Sequence, residues 1–539
     1  MSEARQERVA VTIVGGGPIG MTMGLLLGRF GIPCVILERN AATTDHPKAR
    51  GCFARTMELF RIWGIDKPIR ERGLPDGADH WTVGRSVADL HTTRPEIDPK
   101  QTPVWKSVVA QDAVEEELLK AVRGYATTQL RFATECLGFE QDEAGVTAQC
   151  LDRHTESAYT LHSDYLIACD GAGSRMRKLA AIPMTGIPSI SYMANDYLRM
   201  DLSDVPLACA AAGMILAPHA AGEPWISILN SNGRDRWLVL RRIGAERDER
   251  THIPSDEDVI ADVKRRLGID RKVEVINRST WRSAREVAAR YRNERAFLVG
   301  DSAHRFLPTG GQGMNTGIAD AHNLAWKLAF VLRGALEPSV LESYDSERRP
   351  VGNITADFQL STGGRLVALY QHIDLDDADS RGFWLNELEK HVRSVGITLG
   401  QWYPQGFLVP DDTTPPTLDP ERYTPVDRPG HRFPHLWVDA SQTESTIDWF
   451  DTAFVLVTGP DAHGWRTAGA ALSVEIRAPL VVKTLAAPDR ERGILIGAHG
   501  AVLVRPDGYV AWRSPGRSPQ PVEDLRHVMH TLGVHLTPR

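Results

Sequence analysis

The chain has 539 residues, a formal net charge of -7 and 42% hydrophobic residues, which is core material for about three to four domains. Its acidic balance and the lack of one long basic run argue against a nucleic-acid partner. Its six cysteines (Cys34, Cys52, Cys136, Cys150, Cys169 and Cys209) form no CxxC pair and no cluster with metal-ligand spacing, so reduced thiols in a cytoplasm are expected, and no metal site.

Val11–Glu38 (VTIVGGGPIGMTMGLLLGRFGIPCVILE) reads as strand, glycine turn, helix and a second strand ending in a carboxylate. Gly15 permits the tight turn, Gly17 lets backbone approach a pyrophosphate, Gly20 allows close helix–strand packing, and the helix N-terminus attracts phosphate charge. Glu38 falls about 20 residues on, where an acid holds a ribose. The uncharged run Val9–Leu27 also has the length of a signal sequence or membrane span. Gly15–Pro18 breaks it at its centre and no small-residue cleavage site follows, so a soluble chain without membrane partner is expected.

In Val109–Leu119 (VAQDAVEEELL), Gln111 and Asp112 precede an amphipathic helix, with Asp112 as its local cap. In Asp164–Arg177 (DYLIACDGAGSRMR) an apolar strand runs into Asp170-Gly171, and an ordinary strand-to-helix turn capped by Asp170 explains it locally. From about 191 to 285, short β-like runs such as Trp225–Leu229 and Trp237–Leu240 alternate with Gly, Asn and Pro turns, as in a substrate-side sheet. Met214, Trp225, Trp237 and Trp281 are candidate pocket walls, although aromatic residues on strands are more often plain core. Trp281, just before the returning strand, is the one selected.

In ERAFLVGDSAHRFLPTGGQGMNTGIADAHNLAWKLAF, a buried strand (Ala296–Val299) ends at Gly300-Asp301 and a glycine-rich loop leads into a long helix. Gly310, Gly311 and Gly313 leave N–H groups bare, and Asn315 begins a helix whose positive end faces an electron-rich ring system. Asp301 suits the hydroxyls of a sugar or ribityl chain. His304 reads as a packed turn histidine. A helical stretch around Ala356–Val395 bridges to a fresh start beyond about residue 405, where no cysteine remains for thiol chemistry.

Taken together, GxGxxG with Glu38, Asp170-Gly171, and Gly300-Asp301 with Pro308 and GGQGMN resemble the class A, single-component FAD-dependent aromatic hydroxylases. The resemblance runs to about Pro350 and includes Ser343–Pro350 (SYDSERRP). Arg428–Trp437, Phe454–Thr458 and Ala501–Trp512 resemble the thioredoxin-like C-terminal domain of the phenol and polyketide hydroxylases in this class. The implied fold is α/β: a discontinuous Rossmann-like FAD-binding domain of the p-hydroxybenzoate hydroxylase type (1–190 and 285–365), a substrate β-sheet domain (191–284, with a part near 80–105), a helical bridge (366–405) and a thioredoxin-like domain lacking CxxC (406–539).

The resemblance implies that Gly15, Gly17 and Gly20 contact the FAD pyrophosphate, Glu38 the adenosine ribose, and Gln111 and Asp301 the flavin's middle. It also places Pro18, Arg39, Arg50, Pro308, Gly311, Gly313, Met314 and Asn315 on the cofactor, and has Asp170 serve FAD and the nicotinamide cofactor together. In His46–Glu58 (HPKARGCFARTME) the RTME element resembles the family, but Arg50 stands where phenol-hydroxylase relatives carry an acidic base. A guanidinium cannot act as a base at neutral pH, though it can stabilise phenolate, a substrate carboxylate or reduced flavin. Arg50 is therefore the catalytic candidate, and a surface arginine before a helix the alternative.

No second strand–GxGxxG–helix unit and no WxWxIP segment occur, unlike in disulfide reductases, many Baeyer–Villiger enzymes and flavin-dependent halogenases. The implied activity is that of a monooxygenase. FAD, reduced by NADPH or NADH, takes up O2 as a C4a-hydroperoxide and hydroxylates a phenolic or polycyclic aromatic substrate in a dry site. A Baeyer–Villiger or epoxidising oxygenase and, in a different class, a non-catalytic flavin-binding redox sensor are the alternatives. The expected partner is a small aromatic substrate, with a homodimer left open.

Overall fold

The computed structural model describes residues 6–93, 98–220, 222–244, 253–486 and 489–537, so 94–97, 221 and 245–252 of the expected substrate-side segments lie outside the described residues. The chain weaves between two eight-stranded sheets. It opens with β1 (Gln6–Val14), α1 (Pro18–Arg29) and β2 (Cys34–Leu37), a parallel pair joined by a helix. Val11–Val14 and all of β2 are buried, as strands covered on both faces must be. After β3 (Arg50–Cys52) the chain visits the second sheet as β4 (Trp81–Gly84). It returns through α2 (Gln111–Arg123) and β5 (Ser157–Ala168), which lies parallel to β1. The N-cap of α2 is Ala110 without a side-chain cap bond, so Asp112 stands inside the first turn and does not cap the helix.

The second sheet is built from β6 (Met184–Met200), β7 (Gly213–Leu216), β8 (Ile226–Asn230), β9 (Arg236–Gly244), then α3 (Asp256–Leu267) and β10 (Val273–Ala288). Its strands run in the order β10-β6-β9-β8-β7-β4, and its two faces differ. One is sealed by α3, which Ser255 and Asp258 start with a capping box and left-handed Gly268 ends. Val259, Val263 and Leu267, one turn apart, bury against Met214, Ile228, Trp237 and Val239. Met214 and Trp237 are therefore core residues and not pocket walls, and the Trp237 indole N–H donates to Met200 O. The opposite face looks toward the first sheet, since His46 Nδ1 lies 2.6 Å from Asn277 Oδ1 on β10.

The chain returns through β11 (Ala296–Leu298), parallel to β5, and β12 (His304–Arg305), antiparallel to β10. Gly310 and Gly311 take positive φ (+88° and +65°), which turns the chain into α4 at Gln312 (Gln312–Leu332). The helix thus starts before Asn315, not at it. Next come α5 (Ser343–His372) and α6 (Ala378–Arg393), whose Leu369, Tyr370, Trp384 and Leu388 cover Val83 and Ile215 at the far end of the second sheet. Trp225 stacks on Tyr370 at 5.1 Å, so it belongs to that cover and not to a pocket.

The C-terminal part consists of β13 (Phe454–Thr458), α7 (His463–Leu472), β14 (Leu480–Thr484), β15 (Ala501–Val504), β16 (Val510–Ser514) and α8 (Pro521–Thr531). β13 and β14 are parallel and the other pairs antiparallel, a βαβ unit followed by a hairpin and a helix, as in thioredoxin-like folds. Buried charges tie it to the rest. Glu347 accepts from Lys327 and Arg505, and Glu58 from Arg55 and Arg432.

Candidate active site

At the carboxyl ends of β1, β5 and β11, the glycines divide into those that are crowded and those that face open space. A Cβ on Gly20 would lie 1.8 Å from Gly15 O, and one on Gly15 2.3 Å from Cys169 O, so both are required by packing. A Cβ on Gly17, Gly171 or Gly173 would meet nothing within 4 Å. Gly17 is the N-cap of α1 and no side chain caps that helix, which leaves its first N–H groups and positive end free for an anion. Glu38 closes one side: Oε2 accepts from Gly16 N at 2.7 Å and Oε1 from Asn40 N at 2.8 Å. Arg39 beside it is exposed.

The first turn of α1 packs against the second turn of α4, whose own start is a second uncapped helix end. The N-cap of α4 is Gly311, again without a side-chain cap. A Cβ on Gly317 would lie 2.8 Å from Ile19 Cδ1 and 3.0 Å from Gly300 Cα, so α1 and α4 converge where only glycine lets them. Gly313 faces Asp301 Oδ1, 3.8 Å from its ideal Cβ position. Asp301 is reached by solvent yet hemmed in by enough protein that burial raises its carboxyl, with His304 and Lys48 opposing. That combination marks the wall of a deep cleft. Two positive helix ends, a ribose-height carboxylate and a second carboxylate beside bare glycines fit a dinucleotide joined to a ring system.

Several of the expected contact residues also brace the protein itself. Asn315 Oδ1 accepts from Phe53 N (2.8 Å) and Thr56 Oγ1 (2.7 Å), while Nδ2 donates to Gly51 O (3.2 Å) and Gly311 O (3.0 Å). Its side chain staples the glycine loop to the RTME helix. Met314 is buried, and Pro308 is exposed, its carbonyl accepting from Gly311 N at 3.0 Å. Gln111 Nε2 donates to Glu115 Oε1 at 2.7 Å, which leaves its carbonyl as the free end. Asp170 accepts from Ser174 Oγ and from Met176 N, so it braces its turn. His304 is packed as expected: Nε2 lies 2.8 Å from Asp320 Oδ2 and the ring stacks on Phe306 at 4.4 Å.

Arg50, on β3, spans from the glycine loop to the second sheet. Its carbonyl lies 3.9 Å from the ideal Cβ of Gly311, its Nη1 donates to Asn230 O on β8 at 2.7 Å, and its guanidinium sits 5.8 Å from the Trp81 ring. Burial with no compensating carboxylate pushes it down to about 9, and its Nε has no partner among the described residues. A desolvated cation in this position attracts an anion. Elsewhere on the open face, His46 packs 6.1 Å from the Tyr197 ring. Burial lowers the imidazole and raises the phenol to about 12, which keeps both neutral near pH 7.

Trp281 lies on β10 opposite Met193, on the sheet face turned toward the flavin-side domain, and its Nε1 is buried without a partner among the described residues. The sequence reading missed Lys48, an exposed cation within electrostatic reach of Asp301, Glu115 and His46. Its only signal was a lysine in the HPKARG segment ahead of Arg50.

Comparison with known proteins gives the family. Residues 8–359 match the family model of an FAD binding domain, and residues 426–533 that of an aromatic-ring hydroxylase C-terminal region. A putative polyketide hydroxylase of Streptomyces coelicolor is 31% identical over 98% of this chain and 97% of its own. Among solved structures, the flavin-dependent monooxygenase PieE in complex with FAD and substrate is 30% identical with TM-score 0.86, covering 97% of this chain and 99% of that one. A ternary complex of aklavinone-11 hydroxylase with FAD and aklavinone is 27% identical with TM-score 0.82, covering 99% and 100%.

Proposed function

This chain belongs to the FAD-dependent aromatic-ring hydroxylases, and on that premise we propose that it hydroxylates a phenolic, polycyclic aromatic molecule between the glycine loop of α4 and the open face of the second sheet. NADPH or NADH is the reductant and O2 the co-substrate. The observation that carries the reading is a pair of uncapped helix starts, in α1 and α4, on helices packed together at Ile19 and Gly317, with Asp301 beside Gly313 and Arg50 bridging from that loop to the second sheet. The chemistry supplied by FAD when bound is acceptance of two electrons from the nicotinamide and transfer of one oxygen atom of O2 to the ring.

The chain's own residues do the rest. The N–H groups after Gly17 balance the diphosphate, Glu38 accepts from ribose hydroxyls, and Asp301 and the Gln111 carbonyl accept from the ribityl chain. The N-terminus of α4 offsets negative charge developing on the ring system. Arg50 lowers the cost of ionising a substrate phenol, which makes the ring electron-rich at the moment of attack. Leu240 and Met193, flanking on the open face, keep water away from it. The C-terminal domain has no cysteine and is read as a packing element. The net charge of -7 disfavours a polyanionic partner; among the described residues no helix is long and apolar enough to cross a membrane.

The test is the visible spectrum of the purified protein, then NADH and NADPH oxidation in air with a panel from simple phenols to multi-ring quinones, with product masses from 18O2. Substrate-accelerated oxidation with one labelled hydroxyl is the expected result. A labelled lactone would move the assignment to Baeyer–Villiger chemistry, and bound FAD without turnover to a redox sensor. A colourless protein that cannot be reconstituted would overturn the cofactor site.

A further inference from the structure

The face of the second sheet that looks toward the first is mostly apolar and accessible along its middle, with Ser227, Leu229, Leu240, Met193 and Trp281 all half-buried. β6 and β10 pair with Met193 opposite Trp281 and Asn195 opposite Ser279. Paired residues share a face, as do alternate residues along a strand. Asn195 and Trp281 are therefore diagonal neighbours on this face, about 7–8 Å apart at the backbone.

Asn195 is 4% exposed and its Oδ1 is buried without a hydrogen-bond partner among the described residues; the same holds for Trp281 Nε1. A buried acceptor or donor left unpaired is costly, and these two, one of each kind, belong to diagonal neighbours on one face. Asn277 on the same face is spent: it holds His46 and the Asp45 carbonyl. β12 is antiparallel to β10 at Glu286–Val287, so the chain leaving Arg305 for Pro308 and Gly310 sets off in the direction of Trp281.

We infer that Asn195 and Trp281 are a specificity-determining pair, Asn195 Oδ1 accepting from a ring hydroxyl and Trp281 Nε1 donating to a ring carbonyl of the same substrate. The substrate class is then a fused-ring hydroxyquinone or hydroxyketone. A plain hydrocarbon or a simple phenol satisfies at most one of the two groups. This rests on the proposed hydroxylase function. An apolar face carrying one unpaired acceptor and one unpaired donor orients a flat ring about its own plane, which selects the carbon presented to the glycine loop.

The test uses FAD-loaded protein without NAD(P)H and three probes: 2-hydroxyanthraquinone, anthraquinone and 2-anthrol, with dissociation constants read from the flavin's visible spectrum. Wild type should bind the hydroxyquinone most tightly. Asn195→Leu should remove the advantage of the hydroxyl, about tenfold, and leave anthraquinone unchanged, whereas Asn195→Asp, which still accepts, should keep it. Trp281→Phe should remove the advantage of the carbonyl and keep that of the hydroxyl. Equal binding of all three probes by wild type, or equal losses across them in the variants, would overturn the pair and leave a structural role. Discriminating binding without any oxygenated product on adding NADPH would instead defeat the hydroxylase assignment and leave the pair standing.

Discussion

Replacing Gly17 by alanine separates the cofactor cradle from the fold. Gly17 has φ -73° and ψ -173°, a conformation open to alanine, and the new Cβ meets no atom within 4 Å. The apoprotein should change by less than about 1 kcal/mol, the usual size for a compatible Gly→Ala exchange, so its melting temperature should move by no more than about 2–4 °C. In the holoprotein the methyl group stands where the diphosphate approaches the N–H groups of α1. Losing one hydrogen bond to a charged group costs about 1.5–3 kcal/mol, so FAD affinity should fall roughly 10- to 160-fold. Gly20→Ala is the contrast: its Cβ would lie 1.8 Å from Gly15 O, so it should damage the apoprotein itself. The assay is titration of apoprotein with FAD, followed by flavin fluorescence, alongside melting of both apo variants. If Gly17→Ala bound FAD as tightly as wild type, the pyrophosphate does not sit at this turn and the cradle argument fails.

Other residues give further outcomes. Arg50→Gln should keep its FAD but lose about 10- to 100-fold in kcat/KM for a phenolic substrate, the loss of one charged contact made in the transition state, with partial recovery in Arg50→Lys; steady-state kinetics decide. Glu58 is fully buried between Arg55 and Arg432, so Glu58→Ala leaves two uncompensated guanidinium groups and should cost about 3–5 kcal/mol in denaturant unfolding. Burial alone would raise the Glu347 carboxyl, but Arg505 and Lys327 outweigh it and hold it down to about 2 from an ordinary 4.5. Its folded value lies below its unfolded one, so the stabilisation is complete above about pH 4.5 and is lost as pH falls toward 2, on the order of 3 kcal/mol in all. Acid titration of melting temperature should therefore be shallower in that window for Glu347→Gln than for wild type.

What the sequence made legible follows the range of the interaction. Gly15, Gly17, Gly20 and Glu38 act within one strand–turn–helix unit, so their spacing alone carried the local fold and the uncapped helix start beside Glu38. Gly310 and Gly311 were readable for the same reason, although the helix they release begins at Gln312 and not at Asn315. Side chains whose partners are far away in sequence were not readable. Asn315 has the right residue type for a cofactor loop, but its amide is taken by Phe53, Thr56 and Gly51, about 260 residues away along the chain. Gln111 is partly spent on Glu115 and Asp170 on its own turn.

Met214, Trp225 and Trp237 of the second sheet proved to be core or cover for a different reason. Alternation along a strand says that Met214 and Trp281 each choose a face, but not which face the protein seals. That is decided by α3, whose Val259, Val263 and Leu267 cover Met214 and Trp237, and by His46, which marks the other side through Asn277. Only once both faces are assigned does an asparagine in the middle of β6 become informative. Asn195 has no motif and no unusual neighbours in sequence, and its meaning comes wholly from the register that sets it diagonal to Trp281 on the open face. The cofactor half of a site built from local turns is thus written in spacing, whereas the substrate half, built across strands, is written in register. Relatives that share the glycine loops can therefore keep one oxygen chemistry while changing substrate through a few cross-strand pairs.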